Sequence, residues 1–200
     1  MSNDAVWQCL ISEPEGSVRL PVGEGLDLVQ WSKQAAQAYL DTSASRSEVR
    51  ELSSVLARLA ASSELSDPTF AYAYVVDAAK AVTAVYEVHD YDGEGYSSVE
   101  RLPDLIRDVL PTSPDRRDVT QIDLPAGSGV RVQEIQSVVT GSLLKKKTML
   151  ETVTYAVLPT QVANVLVLRM SWTNLVFSEP LLELAQTLAE SLELVEVKEG

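Results

Sequence analysis

Twelve residues of this chain, Asp90 to Arg101 in the stretch DYDGEGYSSVER, carry spacing suited to metal chemistry. A calcium loop sets oxygen ligands at positions 1, 3, 5, 7, 9 and 12, with glycine at 6 for a sharp turn. Asp90, Asp92 and Glu94 fall at 1, 3 and 5, Gly95 at 6 and Ser98 at 9. Position 12 asks for a bidentate glutamate and holds Arg101, whose charge opposes the ion, while Glu100 stands one residue early. The preceding segment reads as strand, so the helix that should lead into the loop is missing. A solvated turn, with Asp-Gly and Glu-Gly supplying positive φ, is the reading these residues favour. Asp90, Asp92, Glu94 and Ser98 form the candidate calcium loop, and no cofactor is expected.

Other reactive types are scarce. His89 is the single histidine and Cys9 the single cysteine, so multi-histidine metal sites and internal disulfides are excluded. A serine or cysteine nucleophile would have to borrow His89 as its base. The AGSGV segment at 126–130 is not a G-x-S-x-G elbow, and no Walker A, dinucleotide, C-x-x-C or H-E-x-x-H pattern occurs. A non-catalytic chain is expected. Candidates for a ligand or partner surface are the stripe Tyr72 and Tyr74, Arg131 in the middle of GVRV, and Trp172 at the end of VLVLRMSW. For each the plainer role is core packing or a cross-sheet pair.

Sixteen Lys and Arg against 29 Asp and Glu give a formal charge of −13. Nucleic acid is disfavoured, because binding phosphates needs clustered cations that release counterions. The one basic run, Lys145-Lys146-Lys147, reads as a hairpin tip, and anionic membranes are disfavoured on the same ground. A cationic protein partner suits the charge; the oligomeric state is left open. The start MSNDAVWQCLISEPEG has neither a basic opening nor an apolar run, and no window of 18 apolar residues occurs, so a cytoplasmic location is expected.

These residues must be carried by a sheet and helices. With 46% hydrophobic and 22% charged residues over 200 positions, the composition is that of one globular domain, 1–200. Helical spacing marks a pair over 25–62, its second member opening with Ser45 and Glu48 in capping-box positions. Period-two alternation marks strands over 69–90, with Phe70, Tyr72, Tyr74 and Val76 on one side and Ala71, Ala73 and Val75 on the other. A helix over 102–110 starts with Pro103 at its first turn. Strands over 118–173 follow, joined too closely for crossover helices and therefore antiparallel. The apolar phase slips between Val132 and Ile135, which predicts a bulge. VLVLRM is apolar on both sides, as a central strand should be. A closing helix over 178–193 is predicted with Ser178 as its cap, and the stretch around Cys9 is expected to fray. The fold class expected is α+β, a predominantly antiparallel sheet of six to seven strands packed between helices.

The run IDLPAGSGVRV, then TVTYAVLP, NVLVLRMSW and EPLLELAQTLAESLEL, over residues 118–195, resembles the PsbP-like (Ran-binding Mog-type) α/β/α family, its actinobacterial members especially. The resemblance implies an antiparallel sheet between helices and a role in binding other macromolecules. It carries no shared catalytic residues. Several bacterial members are secreted lipoproteins, and the lipid-anchor signal of those is not seen at the start of this chain. The expected function is a protein–protein interaction or accessory module; the alternative is a small-ligand or weak calcium binder using a cleft on the sheet or the 90–98 loop.

Overall fold

A computed structural model of the chain describes residues 6–40, 43–76, 81–110, 112–140 and 146–197. Strands β1 (Val6–Leu10) and β2 (Ser17–Leu20) precede helices α1 (Leu28–Tyr39) and α2 (Arg46–Ser66). Then come β3 (Phe70–Val76), β4 (Ala81–Tyr91) and α3 (Leu102–Val109). Strands β5 (Arg116–Leu124), β6 (Gly127–Thr140), β7 (Lys146–Pro159) and β8 (Val165–Trp172) follow, and α4 (Ser178–Glu190) and β9 (Glu193–Val197) complete the order. Seven strands make one sheet, ordered β2-β3-β4-β8-β7-β6-β5, with every neighbouring pair antiparallel. The fold is α+β, as the alternating segments imply. The tip of the hairpin between β6 and β7, including Lys145, lies outside the described residues.

Local chemistry starts the helices. Asp27 caps α1, its Oδ1 accepting from the backbone N–H groups of Val29 at 2.9 Å and Gln30 at 3.1 Å. The capping box of α2 is formed: Glu48 N–H donates to Ser45 Oγ at 3.2 Å, and Ser45 N–H donates to Glu48 Oε2 at 2.7 Å. The helix runs one turn beyond the expected 62 and stops where Asp67 turns left-handed at φ 48°. Ser32 and Ser53 hydroxyls, 3.0 Å apart, join α1 to α2.

The alternation of β3 divides the layers. Ala71, Ala73 and Val75 lie beneath α1 and α2, where small side chains let the helices approach. Tyr72 joins Tyr86, Tyr155, Leu168 and Met170 against Leu181, Ala185 and Leu188 of α4 on the opposite face. On the helix-pair face, α3 covers a second cluster with Leu102, Leu105 and Ile106 over Val130, Val132, Ala156 and Val167. Strand β8 is therefore buried from both sides, which its unbroken apolar run requires.

Three expectations are corrected. No bulge breaks β6, which pairs without interruption with both β5 and β7. The apolar phase changes because Glu134 takes the inward position after Val130 and Val132. It accepts two contacts from Thr112 Oγ1 (3.1 and 3.0 Å) and has Arg117 Nη1 at 3.5 Å. The irregularity lies instead between β3 and β4: Tyr74 pairs with Ala84 and Val75 with Val82, leaving Thr83 unpaired.

Second, the closing helix ends at Glu190, and Glu193–Val197 pairs antiparallel with Val6–Leu10 in a separate ribbon. The N-terminal stretch is thus tied down, and Cys9 is buried against the α4 layer. Third, Ser178 does not cap α4. It is the first helical residue, and its hydroxyl points to Trp172 and Glu151 instead.

Candidate functional site

The centre of the helix-pair face is polar. Register places Glu87 opposite Arg169 and Val85 opposite Ser171 across β4 and β8, then Arg169 opposite Thr154 and Ser171 opposite Thr152 across β8 and β7. Thr152 Oγ1 and Ser171 Oγ are 3.3 Å apart. This band separates the apolar cluster under α1 and α2 from the one under α3.

Along the α2 side of the band runs a cleft of about 560 Å³. Helix α2 supplies Val55, Arg58, Leu59, Ser62 and Ser63; β4 supplies Val82 to Val85 and Glu87; β7 and β8 supply Leu150, Arg169, Ser171 and Trp172. Its volume lies in the range of ordinary small-molecule sites, roughly 300–1,000 Å³. The bulge shapes it. By leaving Thr83 unpaired, β4 turns Val82 onto the same side as Val85, and both pack with the α1–α2 cluster.

Charges inside the cleft are unequally satisfied. Glu87 Oε1 accepts from Ser63 Oγ at 2.8 Å and Ser66 Oγ at 3.1 Å, while Oε2 lies 3.5 Å from His89 Nε2. Burial pushes this carboxyl upward, but His89 and the two hydroxyls outweigh burial and hold it below its ordinary value. His89 itself sits within β4, 2% exposed and stacked on Tyr91 with ring centres 5.5 Å apart. Its Nε2 has no hydrogen-bond partner, so the Glu87 contact is electrostatic. Arg169 is half-buried and Arg58 exposed, and among the described residues no carboxylate oxygen lies within 4.0 Å of either.

The residues singled out from sequence are dispersed. Asp90 is part of β4 and accepts from Asn164 Nδ2 at 2.7 Å. Asp92 Oδ1 accepts from the Glu94 N–H at 2.9 Å, closing a local turn. Gly95 takes φ +83°, and a Cβ on Gly93 would lie 1.8 Å from the Ala163 carbonyl oxygen, so the loop is wedged against its neighbour. Among the described residues no three acidic, His or Cys side chains are grouped to hold a metal. Asp90, Asp92, Glu94 and Ser98 are not assembled as a ligand set.

Tyr72 stacks on Tyr86 at 4.9 Å on the α4 face, and its hydroxyl donates to Glu13. Burial, with Glu13 adding to it, pushes the Tyr72 phenol upward. Tyr74 packs at the edge of the same cluster. Arg131 faces Tyr155 across β6 and β7, with β4, β8 and β7 between it and the tyrosines of β3. Of these four residues, Trp172 alone lines the cleft. It is 2% exposed, and Nε1 donates to Glu151 Oε2 and to Ser178 Oγ, each at 3.1 Å.

Sequence reasoning missed Arg58, Glu87 and Arg169. Only Arg169 left a trace, as the one charge inside an otherwise apolar central strand.

The arrangement defines an α+β protein with an antiparallel sheet between helices and a cleft beneath α2. No family model matches the chain, and no curated protein does either. Among solved structures it is similar to LpqN, involved in cell envelope biogenesis of Mycobacterium tuberculosis. That similarity has 9% identity and a TM-score of 0.48, over 97% of this chain and 87% of that one. At that level the likeness carries no argument about fold or role.

Proposed function

We propose that this chain is a non-catalytic binding protein whose working surface is the cleft between α2 and the sheet. The observation that carries the reading is a cleft of about 560 Å³ lined by both apolar and charged side chains. The non-catalytic part is supported by His89, the single imidazole, which is buried behind Glu87 and Tyr91 and does not line that cleft. A protein partner, expected from charge and resemblance, has weaker support. The most exposed apolar side chains, Val29, Leu65, Val139 and Val176, stand on α1, α2, β6 and the turn before α4.

Thermal-shift screening of a small-molecule library against the wild type and Val55→Trp tests the reading. Val55 is half-buried in the cleft wall, and an indole there fills the space. A ligand at 100 times its Kd adds about 2.7 kcal/mol, or about 5–10 °C in a chain of this length. The expected result is a shift for the wild type that Val55→Trp loses. A screen in which every hit shifts both proteins equally overturns the proposal.

A further inference from the structure

Resting on the cleft as the binding site, we infer that its ligand is a small amphipathic anion: one oxyanion head held by Arg169 and Arg58, and an aliphatic body against Val55, Leu59, Val82 and Leu150.

The argument begins with where Arg169 stands. It occupies the middle of a central strand, half-buried beneath α2, in a chain with 29 acidic residues available to neutralise it. Removing a cation from water without an anionic partner is costly, and folded chains avoid it by pairing. This chain pairs other arginines readily. Arg101 and Arg107 share Asp104 at 3.1 and 2.9 Å, Arg116 has Asp118 at 2.8 Å, and Arg117 has Glu134 at 3.5 Å. Glu87 is the cross-strand neighbour of Arg169, yet its oxygens are taken by Ser63, Ser66 and His89. The Arg169 guanidinium is thereby left to the cleft, and Arg58 enters the same space from the facing helix. Two cations against the single carboxylate lining the cleft leave it locally positive inside a strongly negative protein. A guanidinium fork matches carboxylate or phosphate oxygens bidentately. A free inorganic anion would leave the apolar wall wet, whereas an anion carrying an alkyl body covers it.

Isothermal titration with decanoate, decyl phosphate, decanol and inorganic phosphate decides the matter. Decanoate or decyl phosphate is expected to bind at least tenfold more tightly than decanol, and the tighter of the two names the head group. Arg169→Gln is expected to weaken the anion by about 10- to 100-fold, the range of a lost charged hydrogen bond, and to leave decanol unchanged. Arg58→Gln, at a solvent-exposed position of the cleft wall, repeats the test should Arg169→Gln fail to fold, as judged by circular dichroism. Decanol binding as tightly as decanoate, with Val55→Trp blocking both, overturns the anionic head and leaves the cleft reading standing. Inorganic phosphate binding as tightly as decyl phosphate overturns the aliphatic body. No binding by any of the four compounds overturns the amphipathic anion, and the cleft reading is then decided by the library screen against Val55→Trp.

Discussion

Glu151 offers the sharpest test of how the sheet is held to α4. It is 3% exposed and accepts from Trp172 Nε1 at 3.1 Å, Gln133 Nε2 at 2.7 Å and the Ser178 hydroxyl. Three donors from β6, β8 and the start of α4 thus converge on one carboxylate. In Glu151→Leu, Gln133 and Ser178 lose their acceptor, while Trp172 keeps Ser178 Oγ at 3.1 Å. Each unsatisfied donor costs about 1–3 kcal/mol, and both residues are only half-buried, so the sum is about 2–4 kcal/mol. Glu151→Gln preserves shape and one acceptor but turns an amide nitrogen toward a donor, a loss of about 1–2 kcal/mol. At about 2–4 °C per kcal/mol for a chain of this length, the leucine variant melts about 4–16 °C lower and the glutamine variant about 2–8 °C lower. Circular dichroism melts at pH 7 measure both. Two results would refute the reasoning: a leucine variant as stable as wild type, or a glutamine variant less stable than the leucine one.

Two other titratable groups give independent checks. The Glu87 carboxyl lies below its ordinary value of 4.5 in the folded chain, so the stability it contributes is complete above that value. It is lost as pH falls through the lower folded value; Glu87→Gln should flatten the decline of melting temperature below pH 4.5, and an unchanged slope counts against the Ser63, Ser66 and His89 contacts. Burial pushes the Cys9 thiol from 9.0 up to about 11, with Asp90 adding to it. Two units mean about 100-fold less thiolate near pH 8, so a disulfide reagent should label the native chain about 100-fold more slowly than the urea-unfolded chain. Equal rates would place Cys9 outside the β1–β9 ribbon.

Patterns of short range were legible from residue order. The capping box of Ser45 and Glu48, the two-sided alternation of β3 and the doubly buried β8 each follow from neighbours a few positions apart. What misled was chemistry that looked local and was not. Ser178 has a capping residue's type and place, but Glu151 and Trp172, 27 and 6 residues away, claim its hydroxyl. The phase slip in β6 looked like a bulge because an inward carboxylate was not anticipated; Thr112 and Arg117 make Glu134 tolerable there. The acidic loop matched a calcium template at five positions, yet Asp90 turns to Asn164 and Asp92 to its own loop.

The order of residues by itself determined the four helices and strands β3 to β8, the two unequal faces of the sheet and the charge that surrounds them, because periodicity and propensity act over one or two turns. The β1–β9 ribbon, which joins the two ends of the chain, it did not determine. Tertiary structure alone decided that β4 lies beside β8, and so that Glu87, Arg169 and Arg58 share one cleft. Strand order is set by which faces bury best against which helices, a sum over the whole chain. No short window of residues contains it.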